Sequence, residues 1–386
     1  MANLPTKKLG EISEVGAGNS APQEQKYFIN GSIPFFRTAD VGRVHFSTDL
    51  NETGDYLNKE AVNELGLKIW PKHTILFPKS GASTFLNHRV MTGTDGVVSS
   101  HLATIFTEND ILQKYIFYFL TTIDAKMLTA DQGYPSLRIS DLQRVKIPLP
   151  PLEAQKQIVE RLDKIAEAQK LNNDLIQKSN ELFQSLLHKE LNPAGKNWEM
   201  KKLGEIIDPQ YGYTAAAQDA GEYRFIRITD IDDFGELRSN DKKYVAIGPE
   251  EAKPYKLNAG DLLLARTGAT FGKILYFKES EPAIFASFLI RLNPNTSIID
   301  PFYIWLFSRS HGYWRQAKSL MTGSGQPQFN ANKLKQIKVP LPPLEIQKQI
   351  VAKLSAVQEY KKKLVEQRAK LKELFESSLH KSMSNK

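Results

Sequence analysis

The sequence predicts an α+β protein made of two mixed α/β heads, each followed by one long α-helix. Three observations lead to this prediction: a fifteen-residue segment recurs half a chain later, the stretch after each copy has the apolar spacing of a helix, and the stretch before each copy contains short strand-like runs. A chain of 386 residues is too long for one ordinary core. The repeat therefore divides it into two similar units.

The repeat is clearest where each long helix begins. Pro148 to Leu162, PLPPLEAQKQIVERL, matches Pro340 to Leu354, PLPPLEIQKQIVAKL, at twelve of fifteen positions. ELFQSLLHK from Glu181 recurs as ELFESSLHK from Glu373, again 192 residues later. The predicted boundaries are residues 1–147 and 193–339 for the two heads, and residues 148–192 and 340–386 for the two helical regions.

The two heads are related only weakly, but their matches keep the same order. FFRTADV around Arg37 pairs with FIRITDI around Arg227, PKSGAST around Lys79 with ARTGATF around Arg266, and DQGYPSL with GSGQPQF. A constant framework with divergent heads indicates two modules that read different ligands.

The helical regions follow the turn-forming Pro-Leu-Pro-Pro, and proline is tolerated in the first turn of a helix. Apolar residues then recur every three or four positions, as expected for an amphipathic helix. They are Ile158, Leu162, Ile165, Ala168, Leu171, Leu175, Leu182 and Leu186 in the first region and Ile350, Leu354, Val357, Leu364, Leu371 and Phe375 in the second. About 38 residues would make a rod of roughly 57 Å.

Because the two rods share their apolar pattern, we expect them to pair with each other, in a parallel or an antiparallel sense. Pairing would leave side faces for another protein, although an intramolecular hairpin that binds nothing fits the pattern equally well.

The heads contain strand-like runs bounded by Gly, Asp and Pro. These runs are IPFFRTADV, HTILFP, GVVSSHLATIFT, YRFIRITDI, DLLLART and FASFLIRL. Ile111 to Thr122 and Pro301 to Arg309 are typical of buried helices. We expect each head to be a curved sheet with a few helices packed on it.

The composition excludes several classes of protein. The chain has no cysteine, which removes disulfides, thiolate zinc sites and cysteine nucleophiles. No window approaches the roughly 18 apolar residues of a membrane-spanning helix, and Met1 to Gly10 lacks the apolar segment of a signal peptide. We expect a cytoplasmic protein with no membrane partner.

The formal charge of +8 and the pI of about 9.2 are compatible with a polyanionic partner. Residues 1–150 carry 15 positive and 15 negative side chains, whereas residues 191–343 carry 20 and 16 and residues 344–386 carry 10 and 5. A basic run on the last helix fits a solvated face and a nucleic-acid contact equally well. It comprises Lys361, Lys362, Lys363, Arg368, Lys370 and Lys372.

The motifs do not indicate catalysis. Asp300 to Tyr303, Asp-Pro-Phe-Tyr, resembles the tetrapeptide of amino-methyltransferases, but a helix start capped by Asp300 explains it better. Gly268 to Ile274 is one residue too short for a phosphate loop and is better explained as a turn between strands. The seven histidines lack metal-ligand spacing. The chain is therefore predicted to be non-catalytic and to bind no metal.

The duplicated Leu-Pro-Pro-Leu-Glu-x-Gln, which ends each variable head and begins each long helix, resembles the specificity (S) subunits of type I restriction-modification systems. The resemblance covers the whole chain. It implies two target-recognition domains that each bind one half of a bipartite, asymmetric target in double-stranded DNA. It also implies that the two helices form an antiparallel coiled coil that sets the spacer, so that one chain imitates a two-fold symmetric dimer.

The resemblance further implies partner subunits. Two modification (M) subunits, which carry the S-adenosylmethionine site, would dock on this chain to form an adenine methyltransferase, and two restriction (R) subunits could join for ATP- and Mg-dependent cleavage. This chain would hold no cofactor itself. The docking candidates in the repeated segment are Leu152, Glu153 and Gln155, with Leu344, Glu345 and Gln347 in the second copy.

The candidates for DNA contact are polar or basic residues beside glycine-rich turns, because a backbone can approach DNA closely there. They are Lys79, Ser80, His88 and Arg89 in the first head and Arg266, Thr267, Thr270 and Lys273 in the second. A second set, chosen because Gln and Asn can read adenine and Arg can read guanine, comprises Tyr134, Ser136, Arg138, Gln326, Gln328 and Asn330.

Arg37 with Asp40 and Arg227 with Asp230 recur in both units, so we assign them to shared architecture or phosphate contact before base readout. Two other functions remain open from the residues alone. One is a stand-alone DNA adenine methyltransferase that uses Asp300 to Tyr303, and the other is a helical adaptor that does not read DNA.

Overall fold

The structure is a computed structural model that describes residues 5–44, 48–129, 135–232, 235–238, 240–321 and 329–383. The chain folds into two units. The first comprises Met1–Asn172 and Gln367–Lys386, and the second comprises Asn173–Glu366. Each unit therefore holds one head together with a segment of each long helix.

The described residues of the first head form ten strands and five α-helices, which the long helix α6 (Leu152–Leu191) follows. The strands are β1 (Thr6–Lys8), β2 (Glu14–Ala17), β3 (Ile33–Phe36), β4 (Tyr56–Leu57), β5 (Ile69–Trp70), β6 (Ile75–Pro78), β7 (Val90–Met91), β8 (Gly96–Val98), β9 (Leu102–Phe106) and β10 (Lys146–Pro148). The helices are α1 (Leu9–Ile12), α2 (Thr38–Arg43), α3 (Lys59–Glu64), α4 (Asp110–Leu120) and α5 (Ile139–Gln143), with 3-10 turns at Gln25–Phe28, Ala82–Leu86 and Ala125–Leu128.

The strands of the first head pair in three groups. β2, β9, β6 and β7 form an antiparallel sheet in that order, with Ile75 opposite Ile105. β4, β3, β8 and β5 form a second sheet in which β3 and β8 are parallel, and β1 pairs with β10. The main core lies between the antiparallel sheet and α4, whose residues from Tyr115 to Leu120 are all buried.

The described residues of the second head form nine strands and four α-helices, which the long helix α11 (Leu344–Met383) follows. The strands are β11 (Glu199–Lys202), β12 (Gln210–Tyr211), β13 (Tyr223–Ile226), β14 (Tyr244–Val245), β15 (Leu262–Ala265), β16 (Ile274–Tyr276), β17 (Ala283–Phe285), β18 (Leu289–Arg291) and β19 (Lys338–Leu341). The helices are α7 (Pro249–Ala252), α8 (Pro301–Phe307), α9 (His311–Leu320) and α10 (Ala331–Leu334), with 3-10 turns at Leu203–Glu205, Ile228–Asp230, Lys253–Tyr255 and Gly268–Thr270.

The second head repeats the strand pairing of the first. β12, β18, β15 and β16 form an antiparallel sheet in that order, β14, β13 and β17 form a second sheet in which β13 and β17 are parallel, and β11 pairs with β19. The predicted duplication of the heads is therefore confirmed in their topology, although their sequences match only weakly.

The predicted long helices are confirmed: α6 and α11 each contain 40 residues. The prediction of one curved sheet in each head is wrong, because several predicted strands are interrupted. IPFFRTADV stops being a strand at Phe36, where Asp40 accepts a 2.8 Å hydrogen bond from the Arg37 amide and α2 begins. FASFLIRL is likewise divided between β17 and β18 by the turn after Phe285. These turns separate the strands into two sheets.

Two hydrogen bonds fix the entrance to each long helix. The Tyr115 hydroxyl donates to the Pro148 carbonyl (2.8 Å), and the Tyr303 hydroxyl donates to the Pro340 carbonyl (2.9 Å). The carbonyls two residues later, those of Pro150 and Pro342, accept from the side-chain amides of Gln155 and Gln347, both at 2.8 Å. The turn that precedes the helix is therefore held at two carbonyls in both copies.

The first unit contains the amino-terminal segment of α6 and the carboxyl-terminal segment of α11. Val159, Leu162 and Ile165 of α6 and Phe375, Leu379 and Met383 of α11 belong to the same buried cluster as the core of the first head. Gln169 donates to the Leu371 carbonyl (3.1 Å), and Asn172 donates to the Gln367 side chain (3.2 Å).

The second unit is built in the same way from the other halves of the helices. Phe183, Leu187 and Leu191 of α6 and Ile350 and Leu354 of α11 pack in the core of the second head. Lys353 forms a 2.7 Å ion pair with Glu190. No helix in the described part of the chain combines the length and apolar character that crossing a membrane requires.

Phe375 and Phe183 are repeat equivalents, and each is buried against a different head. We expect Phe375→Ala to lower the free energy of unfolding of the first unit by about 3 to 5 kcal/mol, because it removes a buried ring beside Tyr118. The second unit should keep its stability. Hydrogen exchange should then accelerate in α4 and not in α8.

Phe183→Ala is the matched control and should give the reverse pattern. Faster exchange of both α4 and α8 in either variant would contradict the division of the helix contacts between the two units.

Candidate functional site

Three chain segments meet at one edge of the first head. The chain leaves β6 at Lys79, whose amide donates to the His101 carbonyl (2.9 Å) and whose carbonyl accepts from the Leu137 amide (2.7 Å). The Ser80 hydroxyl lies 2.7 Å from His101 Nδ1, and Ser80 forms a β-bridge with Ser136. We call this surface, residues 79–81, 99–101 and 135–138, the loop edge of the first head.

The second head forms the same backbone arrangement from different residues. The Arg266 amide donates to the Phe288 carbonyl (3.1 Å), and the Arg266 carbonyl accepts from the Phe329 amide (2.8 Å). Arg266 therefore corresponds to Lys79, and Phe288 to His101. Residues 266–270, 286–288 and 329–330 form the loop edge of the second head.

A glycine follows the anchored residue in both loop edges. Gly81 has a φ of 75° and Gly268 a φ of 76°, which side chains with a Cβ rarely adopt. The glycines let the chain turn sharply from the strand into a 3-10 turn, so the residues before them lie at the rim of the sheet.

The loop edge of the second head exposes aromatic rings beside Arg266. The guanidinium carbon lies 5.3 Å from the ring centre of Tyr211 and 5.7 Å from that of Phe288. The two aromatic residues are 42% and 51% exposed. Large exposed aromatic residues are more typical of a contact surface than of a core.

The described residues contain no group of three or more His, Asp or Glu side chains placed to hold a metal ion. Asp300 caps α8 by accepting from the Phe302 amide (2.7 Å), as the sequence predicts. Gly268–Thr270 forms a short 3-10 turn between β15 and β16, which confirms its interpretation as a turn.

Comparison with known proteins identifies the family. Residues 1–181 and 195–374 match the family described as the type I restriction modification DNA specificity domain. This chain belongs to that family.

Curated relatives and a solved structure agree with this assignment. The type I restriction enzyme MjaVIII specificity subunit of Methanocaldococcus jannaschii is 27% identical over 322 residues, which cover 76% of this chain and 74% of the relative. The StySPI specificity subunit of Salmonella potsdam is 22% identical over 385 residues, or 92% and 82% of the two chains. The crystal structure of the type I restriction-modification S subunit from M. genitalium is similar in fold, with a TM-score of 0.62, 14% identity and coverage of 99% and 96%.

As a specificity subunit, this chain recognises a DNA target, and catalysis belongs to partner subunits of the complex. Neither the stand-alone methyltransferase nor the adaptor that does not read DNA agrees with this family. The two repeated domains match the recognition of a bipartite target.

For the specificity subunit, the structure corrects the prediction that Arg89 contacts DNA. Its side chain is fully buried, with the guanidinium carbon 3.2 Å from the centre of the Phe77 ring and hydrogen bonds to the carbonyls of His88 (2.7 Å) and Ile123 (3.3 Å). Burial lowers the pKa of Arg89 to about 9, against a smaller opposing effect of Asp124. Arg89 therefore stabilises the first head from within.

Several other candidates for DNA contact in the specificity subunit are wholly or partly buried, or form hydrogen bonds within their own head. Thr267 is buried, and the Thr270 hydroxyl donates to the Ile228 carbonyl (3.1 Å). Lys273 is half-buried and immediately precedes β16, and its carbonyl accepts from the Ala265 amide (2.9 Å). His88 is also half-buried, and its pKa is lowered first by burial and then by Arg89.

The recurring arginine and aspartate pairs have an architectural role in both heads. The amides of Arg37 and Arg227 each donate to a carboxylate three residues later, at 2.8 Å, and so begin a helical turn. The Arg227 guanidinium also binds Asp230 (2.6 Å), which is the main reason that the pKa of Arg227 is raised. Arg37 forms an ion pair with Asp55 instead.

The second candidate set is only partly described. Ser136 and Arg138 are exposed at or beside the loop edge, and Asn330 caps α10 by accepting from the Lys333 amide (3.1 Å). Tyr134, Gln326 and Gln328 lie outside the described residues.

Sequence reasoning missed three residues of the loop edges and their surroundings, namely His101, Phe288 and Tyr211. The first two were hidden because GVVSSHLATIFT and FASFLIRL each look like one continuous strand. Each run in fact contains a tight turn between two strands of different sheets, β8 and β9 or β17 and β18, and the turn ends at His101 or Phe288. A pair of serines before His101, and Ser287 before Phe288, were the available turn signals.

The docking candidates divide into exposed and buried residues. Leu152 is 56% exposed, and Glu153 and Glu345 are exposed as well, whereas Leu344 is half-buried. Gln155 and Gln347 are buried, and their amides hold the turns before α6 and α11. The prediction that these two glutamines dock a partner is therefore corrected, because their side chains are used within this chain.

Because Arg89 of the specificity subunit is buried, replacing it should change the stability of the first head, whereas replacing Lys79 at the rim should change DNA binding. We expect Arg89→Ala to destabilise the first head by about 2 to 4 kcal/mol, because it removes packing on Phe77 and leaves two carbonyls without their donor. Lys79→Ala at the rim should change stability by less than about 0.5 kcal/mol and should weaken DNA binding.

Thermal unfolding and binding to target DNA, measured for the same samples, distinguish these effects. If Arg89→Ala bound DNA poorly while retaining normal hydrogen exchange in β6 and α4, the structural assignment of Arg89 would be wrong.

Proposed function

We propose that the loop edge of each head contacts one half of a bipartite, asymmetric target in double-stranded DNA, in or beside the major groove. The observation that carries the proposal is the same backbone framework with different side chains at equivalent positions. Lys79 and His101 on one edge are replaced by Arg266 and Phe288 on the other. A shared framework explains how both heads approach the duplex, and the different side chains explain why the half-sites differ.

The charge of the loop edges is compatible with this proposal. Each edge has one cationic side chain at its backbone-anchored position, half-buried in both heads, and Arg138 adds an exposed cation on the first head. The first head has no net positive charge overall, so its attraction to the phosphate backbone would have to come from such local placement.

We further propose that α6 and α11 pair as an antiparallel coiled coil that sets the distance between the half-sites. Within the first unit, Gln169 and Asn172 contact Leu371 and Gln367 respectively, so residue numbers rise along one helix as they fall along the other. Forty residues correspond to a rod of about 60 Å, or about 18 base pairs at 3.4 Å each.

We propose two modification (M) subunits as partners, with S-adenosylmethionine bound to them and not to this chain. Two restriction (R) subunits, with ATP and Mg, would complete the nuclease. The exposed side chains of Leu152, Glu153 and Glu345 remain candidates for docking the M subunits. Because the target is DNA, we propose the cytoplasm as the location of the complex.

Head exchange tests whether the two loop edges act independently. Replacing residues 1–147 with the head of another specificity subunit should change one half-site and leave the other intact, as read from the methylated motifs of the host genome. The graft must keep apolar residues where α4 meets Phe375, since that contact belongs to the first core.

Exchange of residues 193–339 is the matched control and should alter only the other half-site. A change in both half-sites from one exchange would show that the heads do not read DNA separately.

Lengthening both helices tests the spacer proposal. Inserting one heptad after Asn172 in α6 and one after Glu366 in α11 should lengthen the rod by about 10 Å, and the spacer between half-sites by about three base pairs. The two half-site sequences should not change.

The same heptad inserted in the linker after Asn192 is the control and should leave the spacer unaltered. An unchanged spacer in the variant with both insertions would contradict the proposal that the paired helices set the distance between the half-sites.

A further inference from the structure

Arg266 is held at the loop edge of the second head by its backbone. Its amide and carbonyl are both hydrogen-bonded, to Phe288 and Phe329, at the point where three segments meet. Among the described residues, no side-chain hydrogen bond or ion pair of the Arg266 guanidinium is found, and its contacts are the two aromatic rings. The described residues therefore leave the five N–H donors of this guanidinium without a hydrogen-bond acceptor at the loop edge.

Other arginines of the second head are committed to the fold. The guanidinium of Arg224 donates to the Arg238 carbonyl (3.0 Å), that of Arg227 binds Asp230 (2.6 Å), and that of Arg291 donates to the Lys256 carbonyl (2.8 Å). The guanidinium of Arg309 donates to Glu236 (3.4 Å). Within the described residues, Arg266 differs from these four in that its half-exposed guanidinium has no hydrogen bond or ion pair.

The two rings beside Arg266 orient it without neutralising it. The Tyr211 hydroxyl accepts from the Ala331 amide (3.2 Å), so this ring is itself held by the first residue of α10, next to the loop edge. The equivalent positions of the first head are Ala17 and His101, which offer no such pair of large rings. Contacts with two aromatic rings hold the Arg266 side chain beside the rim of the sheet and leave its charge available, and a guanidinium held in place can donate two parallel N–H groups to one acceptor.

We propose that Arg266 reads a guanine in the half-site bound by the second head, donating two N–H groups to its O6 and N7 in the major groove. Tyr211 and Phe288 are positioning residues that hold the guanidinium plane. This inference rests on the proposed function, because it requires the loop edge to face DNA.

The experiment uses the full chain assembled with its modification subunits and a library of duplexes randomised at each position of the second half-site. We expect Arg266→Ala to remove the preference for guanine at one position and to weaken binding of the original target about 5- to 150-fold. Preferences in the first half-site should not change. Arg266→Lys should keep more affinity than Arg266→Ala and still lose most of the guanine preference.

The salt dependence of binding separates base readout from phosphate contact. For a guanine reader, Phe288→Ala should weaken the guanine preference while the slope of log affinity against log salt stays the same. An equal loss on all sequences, with the slope reduced by about 0.9 in Arg266→Ala, would make Arg266 a phosphate contact and overturn the proposal. So would an unchanged preference, or a preference for another base at that position.

A cross-linking arm distinguishes failure of this inference from failure of the proposed function. The chain has no cysteine, so Ala269→Cys creates one unique thiol on an exposed residue of the loop edge. Cross-linking of a thiol-reactive group from that position to the second half-site supports the proposed DNA face whatever Arg266 does. Absence of cross-linking, together with normal target binding, would refute both the DNA-contacting role of the loop edge and the reading of guanine by Arg266.

Discussion

Hydrophobic contact between each head and segments of both long helices is the constraint on which the rest of the structure depends. The first head buries Leu162 from one helix and Phe375 and Leu379 from the other in a single cluster, and the second head buries Leu187 and Ile350 in the same manner. Burial of each such side chain is worth about 1.5 to 3 kcal/mol. Neither head could separate from its helix segments without exposing several of them, so the helices act as parts of two cores.

The repeated segment Leu-Pro-Pro-Leu-Glu-x-Gln contains a polar side chain that is buried where each head packs against its long helix. The Gln347 side chain is fully buried, donates to the carbonyls of Pro342 and Ile298, and accepts from the Asp300 amide. A buried amide that loses such partners is costly. The conserved pattern of the Leu-Pro-Pro-Leu-Glu-x-Gln repeat within this chain therefore reflects the joint between head and helix, while the loop edges are free to differ.

The sequence contained most of the architecture because a repeat and a helical period are local signals. Proline at Pro148 and Pro340 and the apolar spacing after them located both helices to within a few residues. The loop edges were harder to predict, because they depend on contacts between segments far apart in sequence. Lys79 meets His101 and Leu137 only after β6 and β9 have paired, and the turns that present His101 and Phe288 are hidden inside apolar runs. Arg89 beside a glycine turn looked accessible, and only its packing on Phe77 shows that it is not.

The order of the units along the chain has a consequence for protein synthesis. The second unit is one continuous stretch, whereas the first requires Phe375, Leu379 and Met383, which lie roughly 200 residues beyond the point where its first stretch ends. At about 5 to 20 residues per second, the ribosome needs roughly 10 to 40 seconds to cover that distance. The head that is translated first must therefore wait, with an apolar face uncovered, until the last residues emerge. The amino-terminal half of the nascent chain is consequently the part most exposed to chaperones and to aggregation, and the second head is the one able to fold while translation continues.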